Sequence, residues 1–326
     1  IASQIGDELT SSEERWNKSE KKTVDKLKKQ NQKQLVKHQN AAKLRNLELK
    51  YKNDDFKLKW DKKAELQSID STAGLYNILL MQPGQKDFER KEFIANSLIF
   101  NYAAEFAREG AVLPNTLPSS EQFEREAQKL GINKDSILLI YDAHGIFSAP
   151  RAWFMFYLMG ARDIHVLNGG LPAWEAQGYP LVSEPIRAKH KGNFKANLNT
   201  DKRIEIQDIY AESKSGKSVT LDARGAGRFS GKNPEPRPGI RSGHIPKSIN
   251  LPYTNLLENN QYKALENLKS YFKDIEQDKT INFTCGSGVT ACILALAYYE
   301  LGHKNFKLYD GSWTEYGQST FEVETE

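Results

Sequence analysis

From about Trp60 to the C-terminus, short runs rich in β-branched and aromatic residues alternate with longer helical patterns. The runs are Asn77 to Met81, Ile137 to Tyr141, Ile164 to Leu167, Ser218 to Leu221, Ile281 to Thr284 and Phe306 to Tyr309. Strands that alternate with helices predict parallel sheets in an α/β fold, because each parallel connection needs a long crossover. The stretch Val182 to Thr200, with Pro185, Lys189, His190, Lys191 and Gly192, has little apolar periodicity and reads as a linker. Before Trp60 the pattern differs. Residues 1 to 59 contain one glycine, Gly6, and no proline, and they read as helix. Between Lys18 and Lys52 the apolar positions (Val24, Leu27, Leu35, Val36, Leu44, Leu47 and Leu49) are sparse. They hold neither a 3.6-residue nor a heptad period, which predicts a solvated, lysine-rich helix rather than a core element.

Composition narrows the class. At about 150 residues per domain, 326 residues suggest two domains. The longest strongly apolar stretch, Ala152 to Ala161, is half of the roughly 20 residues that a membrane span needs. Cys285 and Cys292 are too few for a disulfide framework, and no Cys/His set has structural zinc spacing, which suits a reducing compartment. The first residue is Ile, which points to a processed or partial chain, and no apolar signal-peptide core is present. The net charge of +4 hides an asymmetry: residues 1 to 59 carry 15 Lys+Arg against 9 Asp+Glu, a net +6, so the remainder sums to −2. The basic character is therefore local. Nothing resembles an aromatic-interleaved nucleic-acid surface. A mitochondrial transit peptide is acid-poor and Arg-rich, whereas this segment has nine acids and only Arg15 and Arg45.

The chain repeats itself. Ile140 to Ser148 lies over Phe283 to Ala291, each time a strand, a small-residue loop and the start of a helix. Downstream, Val166-Leu167-Asn168-Gly169-Gly170 lies over Lys307-Leu308-Tyr309-Asp310-Gly311, and upstream Phe93 to Phe100 lies over His244 to Leu251. Three matched blocks in one order predict a duplicated domain. The copies differ at one telling position, Asp142 in the first and Cys285 in the second, so only the second carries a soft nucleophile.

A cysteine at the end of a buried strand, followed by Gly286-Ser287-Gly288 and a helix, sits where backbone N–H groups and the helix dipole stabilise a thiolate. The thiolate is the nucleophile. Cys292, expected two turns into that helix, reads as an inert core residue, and His244 reads as structural, holding the turn before a strand.

The loop Cys285-Gly286-Ser287-Gly288-Val289-Thr290-Ala291 resembles that of the 3-mercaptopyruvate sulfurtransferases of the tandem rhodanese superfamily. So do Gly227-Arg228-Phe229, Pro234-Glu235-Pro236-Arg237-Pro238-Gly239 and Gly243-His244-Ile245-Pro246 in the second copy. In the first copy, Leu113-Pro114 to Leu117-Pro118, Phe147 to Trp153 and Gly169 to Trp174 agree. The resemblance spans about Trp60 to Gly317 and implies two tandem rhodanese-like domains, each a parallel sheet flanked by helices. They are a non-catalytic one at 60–185 and a catalytic one at 186–326, behind the basic helical extension at 1–59. It implies that Cys285 takes sulfur from 3-mercaptopyruvate, releases pyruvate and passes the sulfur to a thiol such as reduced thioredoxin, or to cyanide, with no metal or organic cofactor. Cys285 and Ser287 are then catalytic, with Arg228, Arg237, Gly286, Gly288, Val289 and Thr290 binding substrate. Guanidinium groups bind planar carboxylates in pairs of hydrogen bonds, and a hydroxyl at Ser287 can protonate the departing enolate. The expected compartment is cytoplasmic, with mitochondrial as the alternative.

One departure stands out. The family's first domain supplies a His-Ile-Pro-Gly segment and an upstream Asp facing the cysteine loop. Here Phe93-Ile94-Ala95-Asn96 stands there and Pro83 to Glu92 is shortened, leaving only Asp87 or Glu89 as substitutes. Three other readings remain. A rhodanese-like phosphatase needs an arginine closing a Cys-x5-Arg loop, where this chain has Ala291. A thiosulfate sulfurtransferase has Arg and Lys in the loop to meet a dianion, where this chain has Gly286 and Ser287. A non-catalytic tandem scaffold that binds partners is the third.

Overall fold

The computed structural model describes residues 76–82, 92–273, 275 and 278–326. The expected extension at 1–59, and Asp87 and Glu89, lie outside them. Two parallel sheets organise the rest. The first contains β1 (Tyr76–Gln82), β2 (Ser97–Asn101), β3 (Ile137–Tyr141) and β4 (Ile164–Val166) in the order β2-β1-β3-β4. The second contains β5 (Arg203–Ile204), β6 (Ser218–Asp222), β7 (Ile249–Asn250), β10 (Thr280–Thr284) and β11 (Phe306–Tyr309) in the order β5-β11-β10-β6-β7. Every neighbouring pair in both sheets is parallel. All six expected strands form; the sequence pattern did not mark β2, β5 or β7, which lie at or near sheet edges. The connections supply α1 (Ser120–Lys129), α2 (Ala149–Leu158), α3 (Gly170–Ala176), α4 (Ile206–Ser215), α5 (Ala226–Phe229), α6 (Leu265–Phe272), α7 (Ala291–Glu300) and α8 (Ser312–Tyr316). An antiparallel hairpin, β8 (Leu257–Glu258) and β9 (Gln261–Tyr262), turns on Asn259 and Asn260, both at positive φ as a tight hairpin turn requires.

Helices α2 and α7 follow the two matched loops. Each is apolar on nearly every side because each lies between its own sheet and the other helix. Trp153 and Tyr157 of α2 meet Tyr299 of α7 edge to face, at ring distances of 5.1 and 5.3 Å. This explains the ten-residue apolar run: it is an inter-sheet helix, and no helix among the described residues is long and apolar enough to cross a membrane. Phe100, Phe106, Phe123, Phe156 and Phe194 pack ring on ring on the other face of α2. Phe194 belongs to the stretch expected as a linker. That stretch is irregular, as expected, yet it is strapped to the first sheet's layers by Ile186 N to Ser97 O, Gly192 N to Gln128 O and Asn199 N to Leu158 O, each 2.8 Å.

The duplication extends to single hydrogen bonds. Asn96 and Lys247 both adopt positive φ (64° and 58°), and Ser97 and Ser248 both donate to the carbonyl three residues back at 2.6 Å. Phe93 bridges Val182 as His244 bridges Glu324. One block shifts: Ile140 pairs with Val166 and Phe283 with Leu308, so Gly170 corresponds to Ser312, one residue beyond the Gly311 that sequence matching selects. Their left-handed backbones agree, at φ 55° and 49°. Two glycines that look equivalent by sequence are therefore not so in space.

Candidate active site

Strand β10 runs buried up to Thr284, and Cys285 is the first residue beyond it, itself buried. Gly288 turns the chain at φ 78°, and a Cβ there would sit 2.8 Å from the Asp310 carbonyl, so only glycine fits. The loop is gripped from one side by α8. Cys285 N donates to Ser312 Oγ at 3.3 Å and Cys285 O accepts from Trp313 N at 2.8 Å. Gly286 O accepts from Thr314 N at 2.9 Å and from Thr314 Oγ1 at 2.5 Å. Among the described residues, none accepts from the N–H groups of Gly286 to Thr290.

The sister loop displays what such a cradle does. Asp142 occupies the cysteine's position, and its carboxylate accepts from the N–H groups of Phe147, Ser148 and Ala149 at 2.8 to 2.9 Å, and from the Ser148 hydroxyl. Burial holds the Asp142 carboxyl above its ordinary value, and these bonds offset only part of that rise. A strand end, a small-residue loop and a helix N-terminus thus gather one carboxyl group.

Arg228 lies on α5 with Nε and Nη2 on Glu235, at 3.1 and 2.5 Å. Its Nη2 is 3.1 Å from where a Cβ on Gly286 would stand. Glu235 also accepts from Arg224 Nη1 at 2.9 Å, and Arg224 binds Asp222 with both groups buried while it stacks 4.3 Å above Trp313. Arg237 is exposed and donates to Thr314 Oγ1 at 3.3 Å. The two expected arginines therefore converge on the Gly286–Thr314 side of the loop. His244 Nδ1 meets Phe229 O at 2.9 Å and its ring stacks on Phe229, a turn-holding arrangement. Cys292 requires a correction. It lies in the first turn of α7, not two turns in, because the loop ends at Thr290 and the helix starts at Ala291. Its thiol donates to Gly288 O at 3.3 Å, and burial pushes it up to about 12.

Sequence reasoning missed five contributors: Asn115, Arg151, Asp310, Ser312 and Thr314. Asn115 and Arg151 come from the first sheet's layers. Asn115 Nδ2 donates to Ser287 Oγ at 3.1 Å. Arg151, fully buried, donates to Gly288 O at 3.2 Å, to Asn115 O at 2.5 Å and to Asp310 Oδ1 at 2.7 Å. Asp310 Oδ2 accepts from Leu117 N at 2.8 Å. Both Asn115 and Arg151 fall inside runs that the sequence marked, but no spacing tells which residue of a run crosses to another domain.

The Rhodanese-like domain model matches residues 84–177 and 205–319. The 3-mercaptopyruvate sulfurtransferase of Escherichia coli strain K12 is 35% identical over 260 residues, covering 78% of this chain and 89% of that one. The human 3-mercaptopyruvate sulfurtransferase is 39% identical over 208 residues, 61% of this chain and 69% of that protein. Among solved structures, SseA from Escherichia coli, described as a 3-mercaptopyruvate sulfotransferase, superposes with a TM-score of 0.68 at 32% identity, covering 77% of this chain and 97% of it. Tum1 from Saccharomyces cerevisiae superposes at 0.70 with 29% identity, covering 81% of this chain and 96% of that one. With two copies of the domain, parallel sheets in matching order and a cysteine loop closing the second copy, the chain belongs to the rhodanese-like family.

Proposed function

We propose that this chain is a sulfurtransferase that moves sulfur from 3-mercaptopyruvate, through a persulfide on Cys285, to a thiol such as reduced thioredoxin. The observation that carries it is the pair of equivalent loops: one gathers N–H groups around the Asp142 carboxylate, the other holds Cys285 in the same place. In the first step the Cys285 thiolate attacks the donor sulfur and the carbon–sulfur bond breaks. Its electron pair goes to the enolate of pyruvate, and the proton that sat on the donor thiol ends on the methylene carbon. That leaves pyruvate and an anionic persulfide. Ser287, half-buried on the loop, relays this proton or polarises the keto group. In the second step an acceptor thiolate takes the outer sulfur and Cys285 returns as thiolate.

Arg237 binds the donor carboxylate, and Arg228 assists through Nη1, since its other edge is occupied by Glu235. Gly286, Gly288, Val289 and Thr290 present backbone N–H groups to the substrate sulfur. Thiosulfate is the second donor to consider, because thiosulfate sulfurtransferases such as that of Rattus norvegicus are 38% identical over 206 residues. The absence of a charged side chain at Gly286 and Ser287 favours the monoanion. A reducing compartment, cytoplasmic or mitochondrial, keeps Cys285 available as a thiol.

The test is intact mass after treatment with mercaptopyruvate. Gain of one sulfur atom on the wild type, absent from Cys285→Ser, is expected together with stoichiometric pyruvate. Pyruvate release without any mass gain on Cys285 overturns the reading.

A further inference from the structure

The domain without the cysteine reaches into the cysteine loop, and the contact is made by a residue whose backbone is unusual. Asn115 stands at φ 58°, a left-handed conformation that is costly for most L-residues and that asparagine tolerates. Arg151 Nη2 holds its carbonyl at 2.5 Å, and the same guanidinium is fixed on Asp310 of the second sheet's layer. The Asn115 side chain is thereby aimed across the interface, where Nδ2 donates to Ser287 Oγ at 3.1 Å.

The arrangement is half of a reciprocal one. Leu117 N donates to Asp310 Oδ2 as Tyr262 N donates to Asn168 Oδ1, both at 2.8 Å, which makes Asn260 the counterpart of Asn115. Asn260 also has positive φ, at 60°, and it lies against the loop of the opposite domain, with its carbonyl accepting from Ile146 N at 2.8 Å. The two sides differ in chemistry. Asn260 meets a glycine-turned loop whose cradle Asp142 already fills, whereas Asn115 meets the hydroxyl of Ser287. A serine oxygen that accepts from an amide cannot donate in that direction, so its own proton turns toward the remaining side of the loop.

We propose that Asn115 is a positioning residue that holds the Ser287 hydroxyl as a proton donor to the substrate, so that the first domain completes the active site of the second. This rests on the sulfurtransferase reading above. The experiment measures pyruvate release from mercaptopyruvate by the full chain, its Asn115→Gly, Asn115→Asp and Ser287→Ala variants, and the Asn115→Gly/Ser287→Ala double variant. Glycine keeps the left-handed backbone and removes only the amide. Aspartate keeps the shape and replaces the donor by an acceptor.

The expected result is an approximately 10-fold fall in kcat for Asn115→Gly, the size that one hydrogen bond supplies, with KM little changed. Asn115→Asp should fall at least as far, and the loss from Asn115→Gly should vanish in the Ser287→Ala background, because the amide acts only through that hydroxyl. Full activity of Asn115→Gly, activity of Asn115→Asp equal to wild type, or equal losses with and without Ser287 would each overturn the assignment while leaving the sulfurtransferase standing. A wild-type chain that releases no pyruvate would overturn both.

Discussion

Two cysteines seven positions apart have opposite surroundings. Cys285 begins a loop whose supports bind its backbone N–H and carbonyl, while Cys292 is packed inside α7 against Gly288 O with its thiol pushed up to about 12 by burial. Pyruvate release should therefore be abolished by Cys285→Ser and retained for the most part by Cys292→Ser; equal losses in steady-state assays would contradict the assignment of Cys285. The raised value has a consequence for stability with a definite sign. An acid held protonated in the fold contributes stability that is full below its ordinary pKa, near 9, and is lost as pH climbs toward 12. Cys292→Ala should lower urea stability at neutral pH by more than it does near pH 11, since at high pH the unfolded wild type gains the ionised thiol. A difference that stays constant with pH would count against a buried neutral thiol.

The repeating element is a strand, a loop and a helix N-terminus, which carries Asp142 in the first copy and Cys285 in the second. Asp142 accepts from the buried N–H groups of Ser148 and Ala149 and from the part-buried one of Phe147, so removing it leaves the two buried donors unpaired at about 1–3 kcal/mol each. Asp142→Ala should destabilise the chain by several kcal/mol, whereas Asp142→Asn, which keeps an acceptor, should recover part of that. Chemical denaturation of the two variants measures it. Neither substitution touches the cysteine loop, so pyruvate release per folded molecule should stay near wild type. A selective loss of turnover would mean that the first loop has a direct part in the reaction.

At the scale of the whole molecule, the interface between the two sheets' layers is held by helices α2 and α7 and, among the described residues, by the buried ion pair of Arg151 with Asp310. Breaking a buried pair on one side strands the other charge, at about 3–5 kcal/mol. Arg151→Met should lower thermal stability by that order and should also reduce turnover, because Arg151 braces Gly288 O and Asn115 O. The Arg151→Met/Asp310→Asn double variant should regain stability but not turnover. Recovery of both together would show that the pair serves folding alone. The first 59 residues carry +6 of net charge and lie outside the duplicated unit. A chain starting at Trp60 should keep its melting temperature and turnover, and a large fall in either would show that the extension supports the first domain.

Six strands, the duplication and the cysteine loop were legible in the sequence because each depends on local information: apolar runs, glycines at turns and a cysteine where its sister has Asp142. The short edge strands β5 and β7 were not, since two residues carry no pattern and their pairing partners are distant in the chain. The correspondence of Gly170 with Ser312 escaped for a related reason. A left-handed residue is read from sequence as glycine, and Ser312 holds that conformation while its hydroxyl binds Tyr309 O and Cys285 N, contacts that only folding creates. Local sequence thus determined the elements and the position of Cys285 at the end of its strand. The tertiary structure alone decided that Asn115, Arg151 and Asp310, spread over almost 200 positions, meet at Ser287 and Gly288, because residues that recognise each other across an interface leave no periodicity behind.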